Sequence, residues 1–84
     1  MNSFIMRKIT VTTVYAALSS TKLIATVTIS CPPTNTGTVN FKGDNGLDVP
    51  WLPGEWHEFK NVDLNQIQVK GTNGDLVTFK GGTW

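Results

Sequence analysis

The stretch KLIATVTISC, residues 22–31, repeats with a period of two. Leu23, Ala25, Val27, Ile29 and Cys31 fall on one face, with Lys22, Thr26, Thr28 and Ser30 mostly opposite. Successive side chains of an extended chain point to opposite sides of a sheet, so this pattern describes a strand with one buried face. Shorter copies follow: Val39 and Phe41 in GTVNFK, Ile67 and Val69 in NQIQVK, Val77 and Phe79 in DLVTFK. RKITVTTV is rich in β-branched residues, which favour extended backbone. Between these runs stand CPPTNTG, KGDNG, LPGE, GTNGD and a late GG, the Asn-Gly and Pro-Gly steps supplying the φ values tight turns demand. VYAALSS is the one segment expected to form a helical turn. The fold expected is all-β, a small antiparallel β-sandwich or jelly-roll-like barrel of about six to eight short strands.

With 84 residues, the chain makes one β domain, residues 1–84. A domain of this size buries only roughly 60–65% of its unfolded surface and needs a further source of stability. Cys31 is the only cysteine and His57 the only histidine. An internal disulfide is therefore impossible, and a structural zinc set cannot be completed. No metal or cofactor is expected, and oligomerisation is the expected remedy. Seven basic and six acidic residues give a net charge of +1, spread without the basic cluster that nucleic acid or an anionic membrane requires. No apolar run approaches the ~18 residues of a membrane span. The first twenty residues have early basic residues but a Thr-rich, β-branched middle in place of a compact apolar segment, and are not expected to direct export.

The segment VPWLPGEWHEFKNV, residues 49–62, concentrates Trp51, Trp56, His57 and two acidic residues. Pro50 and Pro53 each lack a backbone donor, which confines this run to a sheet edge or a crossing. After the Pro-Gly turn, His57 and Phe59 alternate against Trp56, Glu58 and Lys60, which sets His57 inward. Glu55 and Glu58 flank it, but neither a second metal-binding His nor a positioned nucleophile accompanies them. A non-enzymatic chain is expected. Cys31, ending an apolar strand face before Pro32-Pro33, reads as a small buried hydrophobe. Asp44, Asn45 and Asp48 lack the spacing and the bidentate Glu of an EF-hand, and read as a hairpin turn. Trp51, Trp56 and Trp84 are large aromatics for so small a domain, and are read as interface anchors, with a sugar-stacking platform as the alternative use.

The succession MRKITVTT, ALSS, VTISCPPTNTGTVNFKG and LPGEWHEFKNVDLNQIQVKGTNGDLVTF resembles a family of small tailed-bacteriophage virion proteins, over residues 6–79. The resemblance implies a β-sandwich structural protein, most simply a capsid decoration or cement protein that binds and stabilises the major capsid protein shell. It is expected to be made in the host cytoplasm, to reside on the virion surface, and to act as a homotrimer. The alternative it leaves open is a carbohydrate- or receptor-binding module of a head fibre or tail. Asn35, Thr36, Gly37, Thr38, Pro53, Gly54 and Glu55 match as turn residues. Trp56-His57, the terminal GGTW and residues 1–5 depart from the pattern. Phe4, Trp51, Trp56, His57 and Trp84 are accordingly the expected partner-binding residues. Residues 1–5 and 81–84 are expected to act as contact arms, with Gly81 and Gly82 breaking the last strand.

Overall fold

A computed structural model describes residues 3–83. Eight strands appear in chain order: β1 Ser3–Thr10, β2 Ala16–Ala17, β3 Ile24–Ser30, β4 Val39–Lys42, β5 Val49–Trp51, β6 Trp56–Asp63, β7 Gln68–Gly71 and β8 Leu76–Thr83. They form two four-stranded antiparallel sheets, ordered β1-β8-β3-β6 and β2-β7-β4-β5. The sheets face each other without closing into a barrel, so the sandwich is the architecture realised. The chain passes between the sheets at nearly every connection, and β4–β5 is the one hairpin of sequential strands.

The alternating residues meet in the middle. Ile5, Ala25, Val27, Ile29, Val77 and Phe79 face inward from the first sheet, and Val39, Phe41, Trp51 and Val69 from the second. Val11, Leu18, Cys31 and Leu64 close the core from the connections. Burying a large aliphatic or aromatic side chain stabilises by about 1.5–3 kcal/mol, and here that is done with no buried side-chain polar atom left unpaired among the described residues.

Two buried polar residues fasten one connection. The Asn35 side chain donates to the Leu76 carbonyl at 2.9 Å and accepts from the Leu76 N–H at 2.8 Å, imitating a strand at the start of β8. Asp75 accepts from the Thr36 N–H and hydroxyl, both at 3.0 Å, and from the Gly37 N–H at 3.1 Å. The Asn-Thr-Gly run is thus a structural clasp. Those donors hold the Asp75 carboxyl below its usual range, the Thr36 N–H first among them.

Three expectations need correction. VYAALSS holds the two-residue strand β2, and the helical turn lies at Leu64–Gln66, where the Asp63 carboxylate caps it through the Asn65 N–H at 3.0 Å. That cap delays β7, which starts at Gln68 in place of the region around Asn65. Gly81 and Gly82 do not break the last strand: they continue β8, opposite Ile5 and Phe4 on one side and Val27 and Thr26 on the other. A side chain at Gly81 would place its Cβ 1.9 Å from the Thr26 carbonyl oxygen, so glycine is there for close approach. At the other terminus Ser3 to Ile5 are paired strand residues, and Ile5 is core. Residues 3–5 and 81–83 are therefore integral to the first sheet and do not form free arms. Residues 1, 2 and 84, including the expected contact residue Trp84, lie outside the described residues.

Candidate functional site

The LPGE turn is built by its own Glu and by the end of β3. Gly54, at φ 87°, donates to the Cys31 carbonyl at 2.8 Å, while the Cys31 N–H donates to the Glu55 carbonyl at 2.9 Å. Glu55 Oε1 accepts from the Leu52 N–H at 3.0 Å, and Oε2 lies 2.7 Å from His57 Nε2. Contact with His57, then with the Leu52 N–H, holds the Glu55 carboxyl below its ordinary range. The turn leaves Leu52 and Trp56 in solvent, with relative exposures of 61% and 62%.

Trp51 is the opposite case and corrects the expectation that it contacts a partner. It is buried, stacked on Phe41 at a centroid separation of 3.7 Å, with Phe59 parallel at 6.3 Å and the His57 ring meeting it edge-on at 4.7 Å. Its place follows from register: Trp51 pairs with inward-facing Val39, and cross-strand partners share a face. His57 is on the inward side, as its alternation requires, but on the edge strand β6, so half its side chain stays exposed.

Beside this aromatic tier the two sheets part. Phe41, Val49, Trp51, Phe59 and Ile67 line a cavity of about 330 Å³, rimmed by Asp44 and Asn45. A second depression of about 500 Å³ shares Phe59 and Ile67 with it and runs past Val62, Asp63 and Gln66. The turn carrying the rim is stabilised by Asn45, whose side-chain oxygen accepts from the Leu47 N–H at 3.1 Å. Asp48 is turned the other way. It accepts from the Tyr15 hydroxyl and stands 4.0 Å from Lys70 Nζ, while Lys42 and Lys70 flank the Tyr15 ring at 4.2 and 4.8 Å. Desolvation and the Asp48 carboxylate push the Tyr15 phenol up to about 12.

The site brings together a stacked aromatic tier, one carboxylate–imidazole pair and an apolar cavity. Cys31 lies under the turn, and burial, with Glu55 and Asp75 nearby, pushes its thiol up to about 11, which keeps it protonated near neutrality. Among the described residues no three His, Cys, Asp or Glu side chains converge as metal ligands.

The expected contact residues do not form one patch. Trp51 and His57 touch; Trp56 adjoins them in sequence but stands on the outer face; Phe4 lies on β1, the opposite edge of the first sheet from β6. Sequence reasoning missed Met6, 75% exposed and on the same face as Phe4, although period-two spacing from Phe4 could have found it. It also missed Leu52, flanked by Trp51 and Pro53. No local signal joins Tyr15 to Asp48. Compared with known families, curated proteins and solved structures, the chain matches none.

Proposed function

We propose that the chain is a structural virion protein of a tailed bacteriophage, a decoration protein that binds and stabilises the shell of the major capsid protein. The observation that carries this reading is the outward placement of large apolar side chains on a small sandwich: Phe4 at 90%, Trp56 at 62% and Leu52 at 61% exposure. Single exposed apolar residues are ordinary, but Trp56 and Leu52 stand on either side of a turn locked by Glu55, and a pre-organised aromatic anchor is what a binding hot spot needs. A shell offers the same site many times, so modest contacts gain by repetition. Fold and turn residues support the resemblance in pattern alone. The reading is tested by co-sedimentation of the purified chain with shells of its phage lacking it. Saturable binding that weakens with Trp56→Ala is expected; absence of binding at shell concentrations well above micromolar would contradict it.

A second reading, a carbohydrate- or receptor-binding module of a fibre or tail, is favoured by the cavity with its aromatic wall of Phe41, Trp51 and Phe59 and its polar Asp44–Asn45 rim. A glycan array that lights up for the native chain and goes dark for Asp44→Ala supports it over the first.

A further inference from the structure

Each sheet of an open sandwich ends in two edges whose backbone groups invite another strand, and proteins commonly block them. Three of the four edges here are blocked. β2 has only two residues. β5 carries Pro50, which has no N–H to offer, and is followed by Pro53. β6 is interrupted by a register shift against β3, with Asn61 at φ 52°. The fourth is open. β1 runs eight residues, SFIMRKIT, in unbroken one-to-one register with β8, and contains neither proline nor bulge.

We propose that β1 pairs antiparallel with β1 of a second copy of this chain about a two-fold axis at Ile5, joining two four-stranded sheets into one of eight strands. The sequence of the edge selects both the occupant and the register. Ser3 to Met6 are uncharged, while Arg7 and Lys8 follow. Pairing centred on Arg7 or Lys8 sets like charges opposite each other, which destabilises a sheet. Centring on Ile5 sets Ser3 against Arg7 and Phe4 against Met6 of the other copy. Phe4 and Met6 share the outer face and are the two most exposed large apolar residues described, at 90% and 75%. Each copy therefore supplies one half of each of two symmetry-related aromatic–thioether contacts, its Phe4 in one and its Met6 in the other. Ile5, already buried, meets its own counterpart and extends the core across the axis. The edge is complementary to itself, the requirement of a two-fold interface. This symmetry differs from the trimer that the family resemblance implies, and the inference stands apart from the virion reading.

Sedimentation of the full chain over micromolar to near-millimolar concentration is expected to show a monomer–dimer equilibrium. Hydrogen exchange at those β1 amides that point away from β8 is expected to slow as concentration rises. Phe4→Lys with Met6→Lys, both at exposed positions, is expected to weaken the dimer by about tenfold or more, and Trp56→Lys to leave it unchanged. Mixing the single variants Phe4→Lys and Met6→Glu, whose altered positions face each other, is expected to recover a mixed dimer, a readout that holds even if the double variant folds poorly. A chain that stays monomeric throughout, a trimer, a dimer indifferent to Phe4 and Met6, or a mixture of the single variants that yields no mixed dimer would each overturn the proposal.

Discussion

Trp51 and Trp56 flank a single turn and have opposite roles. The first is packed between Phe41 and Phe59, the second stands in solvent. Trp51→Ala is expected to cost about 3–5 kcal/mol in a denaturant melt, a large part of what so small a domain has. Trp56→Ala is expected to stay within about 0.5 kcal/mol of the native chain while weakening shell binding. At Asp75 the sign of the pH dependence is fixed by its depressed pKa. Its unfolded pKa is about 3.9, so its contribution is complete above that value and is lost as pH falls through the lower folded pKa. Melting temperatures taken from pH 6 to pH 2 should show the gap between the native chain and Asp75→Asn narrowing towards the acid end; a constant gap would mean that the clasp does not depend on the charge. Trp51 was hard to place from sequence because its Pro-bounded segment resembles a loop, and only pairing with Val39 turns it inward. Cys31 was legible, since it ends a clean alternation.

Among the elements, β8 organises the molecule. It lies between β1 and β3; its first residue, Leu76, is bonded by the Asn35 side chain, and Asp75 just ahead of it holds the Thr36 N–H. Gly81→Ala drives a methyl group into the Thr26 carbonyl and the Val27 Cα, and is expected to destabilise by about 3 kcal/mol or more. Gly43→Ala, with nothing within 4 Å of its Cβ position, is the matched control and should be close to neutral. Deleting residues 81–84 removes paired β8 residues on both of its flanks, so loss of folding is expected, where the sequence had pointed to a dispensable arm. Period-two patterning located β3, β4 and the buried parts of β7 and β8 because one buried face writes itself into alternate residues. It could not show that a Gly-Gly step lets strands approach closely, since glycine codes for a break and for close approach alike. The cap at Asp63 was hidden for a similar reason: its Oδ1 serves both Asn65 and the distant Leu23 N–H.

At the scale of the whole molecule, the first and last strands pair from Ser3 opposite Thr83 to Thr10 opposite Leu76, so the domain closes only when both ends of the chain have arrived. Cys31, buried with its thiol raised to about 11, should react with a thiol reagent in native buffer only at the rate of opening and fully once unfolded. The sandwich class was legible in the strands and turns; the cavity and the Tyr15–Asp48 contact were not, because both join residues from separate loops. The role proposed for this sandwich is to act by its surfaces, as part of a phage shell. Cryo-electron microscopy of the intact particle tests it most directly. In that role, density fitting the eight-stranded sandwich is expected in many symmetry-related copies on the capsid surface, with Trp56 and Leu52 turned towards a neighbouring protein. Particles without the chain, or a chain present only in a few copies at a tail or fibre, would contradict it.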